Sequence, residues 1–107
     1  MKYEVLVIDE AETDLYEIYR YVALNDSVEK ANQLLDKLET LIKALEQLPT
    51  RGHVPPELSR VGVTDYREVH FKPYRVICRI DGQRVHIYCV LDGRRDLQSL
   101  LHARMLR

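Results

Sequence analysis

The sequence has only two cysteines, no long apolar run and almost no net charge. Each shortage excludes something. Cys78 and Cys89 sit inside apolar, strand-like runs, and no Cys-x-x-Cys or Cys/His spacing points to zinc. The expectation is two reduced, buried thiols, the common state of a free cysteine, with no metal and no cofactor. No window approaches the roughly 20 apolar residues of a membrane span. The N-terminal MKYEVLVIDE lacks the apolar core of a secretory signal. A cytoplasmic protein without a membrane partner is expected. Internal repeats and low-complexity tracts are missing too.

What is present suits one compact domain spanning residues 1–107. A chain of this size buries roughly two thirds of its unfolded surface, so it can fold without disulfides or metals. Apolar residues make up 46% and charged residues 31%, as in ordinary soluble proteins. The net charge of −1 hides an asymmetry. Residues 1–50 carry five Lys/Arg against eleven Asp/Glu, a net −6; residues 51–107 carry eleven against six, a net +5. Ten of those eleven cations are arginine. An arginine-rich second half hints at an anionic partner.

Residues 2–8, KYEVLVI, read as a strand. Asp9 is placed as a helix N-cap, with Glu12 closing a capping box. Ala11, Leu15, Ile18 and Val22 then share one helical face. Asn25-Asp26-Ser27 breaks the pattern, and Asp26 with Glu29 repeats the box. Ala31, Leu34, Leu35, Leu38, Leu41, Ile42, Leu45 and Leu48 form a wider stripe, more fitting to core than to a partner surface, ended by Pro49. The short break predicts a helical hairpin. Residues 49–65 hold most of the prolines and read as a loop, with a short helical turn near Glu57–Arg60. Strands return at 66–71, 74–80 and 83–91, and 94–106 has the spacing of a C-terminal helix.

Asp81-Gly82 between apolar runs predicts a tight hairpin turn. If these two residues form the turn, Arg79 faces Arg84, Cys78 faces Val85 and Arg75 faces Tyr88. Alternation then puts Tyr74, Val76, Cys78, Ile80, Val85, Ile87, Cys89 and Leu91 on a core face. Arg75, Ile77, Arg79, Arg84, His86 and Tyr88 share the other face. Opposed like charges cost stability, so Arg79 and Arg84 point to a solvated or anion-binding surface. Arg94 and Arg95 follow the last strand. At a helix N-terminus they oppose the dipole, so they suit binding of phosphate or carboxylate better than helix stability. Local pairing with Asp92 or Asp96 is the plainer alternative.

The order of motifs resembles a known family. It comprises A-x-x-D-L-x-x-I-x-x-Y (Ala11, Asp14, Leu15, Ile18, Tyr21), L-x-x-L-P-x-x-G (Leu45, Leu48, Pro49, Gly52), Tyr66-Arg67, Tyr74-Arg75-Val76 and Arg94-Arg95-Asp96. Over nearly the whole chain this is similar to the RelE/ParE superfamily of bacterial type II toxins, closer to the ParE branch. The resemblance implies an α+β fold of order β-α-α-β-β-β-α. A four-stranded, mostly antiparallel sheet is packed by an N-terminal helical hairpin, with a short C-terminal helix. It implies a cognate antitoxin as partner, with operator DNA reached only through it. It also implies one of two activities: poisoning of DNA gyrase, as in ParE-like members, or ribosome-dependent mRNA cleavage, as in RelE-like members.

RNA cleavage needs an activated 2′-OH, charge stabilisation and a protonated leaving group. By resemblance Arg67, Arg75 and Arg95 match basic positions. A second basic position falls on Val69, the C-terminal tyrosine position falls on Leu101 with His102 beside it, and a histidine position falls on Asp92. Arginine hardly deprotonates, so it binds phosphate but transfers protons poorly. His86, Tyr88 and His102 are the remaining acid–base candidates. Arg67 shares parity with Val69 and Phe71, so a buried arginine paired with a helix carboxylate is one outcome for it. The expected target- or anion-binding set is Arg75, Arg79, Arg84, Arg94 and Arg95. The reading that follows is a non-enzymatic, gyrase-directed toxin. The alternatives are an mRNA interferase and an inert antitoxin-binding module. The first strand and leucine-rich helices leave a homodimer open.

Overall fold

The computed structural model describes residues 2–93 and 96–105, with the backbone alone for Met105. The chain runs β1 (Glu4–Val7), α1 (Asp9–Asn25), α2 (Val28–Lys43), a 3₁₀ turn (Ala44–Glu46), α3 (Pro56–Ser59), β2 (Tyr66–Phe71), β3 (Tyr74–Asp81), β4 (Arg84–Asp92) and α4 (Leu97–Met105). The sheet order is β1-β4-β3-β2; β1 lies parallel to β4 and the other neighbours are antiparallel. This is the α+β arrangement expected.

Both helix starts differ by one residue from the sequence reading. Ile8 holds the extended N-cap backbone of α1, and Asp9 is already helical. Asp9, Glu10 and Glu12 therefore favour the helix through its dipole rather than through a capping box. At α2 the cap is Ser27, whose hydroxyl accepts from the Lys30 N–H at 3.1 Å. Asp26 instead ends α1, its N–H donating to the Val22 carbonyl at 2.8 Å.

The hairpin's apolar face packs on one side of the sheet. Ala11, Leu38, Ile42 and Leu45 meet Val69, Val76, Cys78, Val85, Ile87 and Val90. Each such large side chain contributes roughly 1.5–3 kcal/mol on burial. Leu48 leaves the stripe and is 62% exposed, because the 3₁₀ turn after Lys43 changes its direction.

The β3–β4 register differs from the sequence reading. Asp81 faces Arg84, Ile80 faces Val85, Arg79 faces His86 and Cys78 faces Ile87. The turn is Gly82-Gln83, with Gly82 at φ +60°. A II′-type turn puts its glycine at the first central position, which makes Asp81 the residue before the turn. Arg79 and Arg84 are therefore not opposed.

A bulge then intervenes. Ile77 pairs with Cys89 while Cys78 pairs with Ile87, so Tyr88 is the extra residue of β4. Beyond it the parity reverses. Val90 faces the helical hairpin, whereas Cys89 and Leu91 turn to the other face. There they pack with Tyr66 and Ile77 under Leu58 of α3 and Leu97 and Leu101 of α4. The face expected to be basic thus carries a second apolar cluster, and helices cover both sides of the sheet. Both cysteines are buried without a disulfide, as expected. Burial pushes the Cys78 thiol up to about 11.

Candidate functional site

Arg75 stands on β3 of the second face. Its guanidinium grips Glu57 of α3 with two hydrogen bonds of 2.8 Å, and its Nε donates to Glu68 of β2. The Arg75 side chain is 12% exposed and that of Glu68 only 2%. Buried charges persist only when paired and hydrogen-bonded. Two carboxylates around one guanidinium leave one net negative charge. Two histidines meet it: His53 Nε2 lies 3.0 Å from Glu68 Oε1, and His70 Nε2 lies 3.2 Å from Glu68 Oε2.

The Arg75 hydrogen bonds hold the Glu57 carboxyl below its ordinary value of 4.5. A carboxylate whose folded pKa is depressed stabilises the fold above its unfolded pKa. That stability is lost as the pH falls through the folded value. Glu57→Gln should therefore flatten the acid limb of stability below about pH 4.5, read from urea midpoints. An unchanged acid limb would show that the pair contributes nothing.

The other predicted residues are dispersed. Arg67 is register-matched to Cys78, hence on the helical side, as its parity suggested. Its partners are loop carbonyls rather than a helix carboxylate: it donates to Gly52 O at 3.0 Å and Thr50 O at 3.4 Å. Arg84 pairs with Glu4 at 3.2 Å and Arg79 approaches Asp65 at 3.9 Å, both at the surface. Tyr88 packs edge-on against Tyr66 at 5.6 Å, and His86 lies 6.4 Å from Tyr88. His102 is exposed and lines a hollow with Leu58, Val61, Tyr66 and Leu101. Arg75, Glu57, Arg60, Glu68 and His70 line a different one. Val69 and Leu101 are both buried core residues. Arg94 and Arg95 lie outside the described residues.

A second ionic centre went unpredicted. Asp14 of α1 accepts from both Arg104 Nη atoms at 2.7 and 2.8 Å and from the Val90 N–H at 3.0 Å. Arg104 also donates to the Tyr88 carbonyl at 2.6 Å. Both backbone groups lie at the bulge, where the ladder is interrupted and side chains can take over its hydrogen bonds. Asp14 stood in the first quoted motif, but no local pattern ties it to a residue 90 positions away. Glu57, Glu68 and His53 were likewise not singled out. Strand parity could have put Glu68 beside His70 and Arg75; nothing local places His53.

The comparisons agree with this architecture. The family model for the ParE toxin of the type II toxin–antitoxin system ParDE matches residues 5–97. The toxin ParE3 of Caulobacter vibrioides is 33% identical over 88 residues, covering 82% of this chain and 84% of that protein. A chromosomal ParDE toxin–antitoxin structure from P. aeruginosa superposes with a TM-score of 0.71 at 20% identity, over 85% of this chain and 96% of the other. The RelBE2 toxin–antitoxin complex of Mycobacterium tuberculosis gives 0.62 at 20% identity, over 86% and 99%. Those two likenesses concern the fold. With the sequence matches beside them, the chain belongs to the ParE toxin family of type II toxin–antitoxin systems.

Proposed function

We propose that this toxin acts by binding a protein target, DNA gyrase, and that a cognate antitoxin neutralises it in the cytoplasm. One observation carries the preference for binding over RNA cleavage: Arg75 is held by Glu57 and Glu68. A guanidinium already neutralised by two carboxylates is poorly placed to stabilise a phosphorane. The burial of Val69 and Leu101, at two positions where the resemblance expects reactive groups, supports the same reading. Arg94 and Arg95 are our choice for the target-facing cations, with Arg79, whose side chain is 43% exposed, as a further candidate.

Induced expression without antitoxin tests this, in wild type and in Arg94→Ala/Arg95→Ala. Growth, the DNA-damage response and mRNA integrity are the readouts. The expected result is arrest with DNA damage and intact mRNA, relieved by the substitutions and by co-expressed antitoxin. Arrest with cleaved mRNA would overturn the proposal in favour of an interferase. Absence of arrest in a folded protein would leave an inert binding module.

A further inference from the structure

The geometry points to a divalent transition-metal site of the zinc class, formed by His53, Glu68 and His70. The backbone itself builds it. Glu68 and His70 are two residues apart on β2, so their side chains share a face. His53 forms an isolated antiparallel bridge with Glu68. Its N–H donates to the Glu68 carbonyl at 3.1 Å, and the Glu68 N–H donates to the His53 carbonyl at 2.7 Å. Directly opposed side chains stand close together on one face. The three side chains are therefore brought together by strand pairing rather than by chance meeting of long surface groups.

Their ligand atoms converge. Each imidazole presents Nε2 to a different oxygen of one carboxylate, at 3.0 and 3.2 Å, and all three ligand atoms lie within 4.8 Å of one another. Ligands about 2.1 Å from a tetrahedral ion stand about 3.4 Å apart, so small ring rotations suffice. Two imidazoles and a carboxylate suit zinc, nickel or copper rather than calcium or magnesium.

The electrostatics agree. Glu57, Glu68 and Arg75 together carry one net negative charge, and a cation replaces what the histidines supply only when protonated. Arg75 Nε also donates to Glu68 Oε2, the oxygen that His70 meets, and so orients the carboxylate as outer hydrogen-bond partners do for metal-bound carboxylates. The histidine side chains are 56% and 44% exposed, so an ion enters from solvent and water completes its coordination. Binding would fasten the loop carrying His53 to the outer strand of the sheet.

The full chain, free of any histidine tag, is titrated with zinc chloride by calorimetry, with the melting temperature and histidine ring NMR signals followed in parallel. The expected result is saturable binding of one ion, a raised melting temperature, and shifts of the His53 and His70 rings. His53→Gln and His70→Gln, both at half-exposed side chains, should each weaken binding at least tenfold in a folded protein. His102→Gln should not. Failure to saturate at millimolar zinc would overturn the site, leaving a purely hydrogen-bonded cluster. Binding that survives both substitutions would place the metal elsewhere and overturn it equally.

Discussion

Arg104→Ala is expected to destabilise the fold by about 3 kcal/mol, because it strands Asp14 as a buried, uncompensated carboxylate. Asp14 and Arg104 are 7% and 9% exposed at their side chains. The guanidinium satisfies both Asp14 oxygens and the Tyr88 carbonyl, and its loss leaves that carbonyl short of a donor too. The melting temperature should fall by roughly 10–20 °C, since about 1 kcal/mol moves a domain of this size by several degrees. Asp14→Asn should cost less, because an amide oxygen still accepts from the Val90 N–H. The double substitution Asp14→Ala/Arg104→Ala should cost less than the sum of its parts, the signature of a direct pair. A loss below about 1 kcal/mol for Arg104→Ala would class the pair with surface salt bridges and mean that α4 does not dock as described.

Gly52→Ala should be nearly as damaging. A Cβ built there would lie 2.2 Å from the Glu68 carbonyl oxygen and 2.8 Å from its carbon. Both neighbours are backbone in β2, so no side-chain rotation relieves the clash. The loop must retreat, breaking the two hydrogen bonds between His53 and Glu68 and the Arg67 contact to Gly52 O. At about 1 kcal/mol for each hydrogen bond, the expected cost is roughly 2–4 kcal/mol. Urea unfolding measures it. Amide exchange at His53 and Glu68 shows whether the bridge has opened. A cost within 0.5 kcal/mol, of the size seen at neutral surface sites, would mean that the loop has room the structure does not show. The glycine of the L-x-x-L-P-x-x-G motif is thus explained by close backbone approach, not by an unusual backbone angle.

Much of the fold was legible because its signals are local. The helical face of Ala11, Leu15 and Ile18, the leucine stripe of α2 and the Asp81-Gly82 signal lie within short windows. Each names an element and roughly its ends. The single-residue errors at Asp9 and Asp26 arose because Ser27 and the Ile8 backbone compete for the same role within one turn. The hairpin register failed for a similar reason. Asp-Gly permits the glycine at either central position, and one residue of slip changes every cross-strand neighbour. The bulge at Tyr88 has no local signature, and simple alternation puts Cys89 and Leu91 on the helical-hairpin face rather than the one they occupy.

The candidate site was less legible. Arg75 carries the expected charge but is held by Glu57 and Glu68, whereas Arg84 meets Glu4 at the exposed surface. Pairing across a fold depends on distance in space, which periodicity does not encode.

Sequence alone determined the element types, the helical hairpin, the charge asymmetry and, through motif order, the toxin family. Those follow from propensities and spacings acting over a few residues. Tertiary structure decided which arginines are neutralised, which apolar residues lie under α4, and that His53 meets Glu68 and His70. Those outcomes depend on register, on the bulge and on loop closure. A shift of one residue in any of them changes which side chains meet, while the local pattern stays the same.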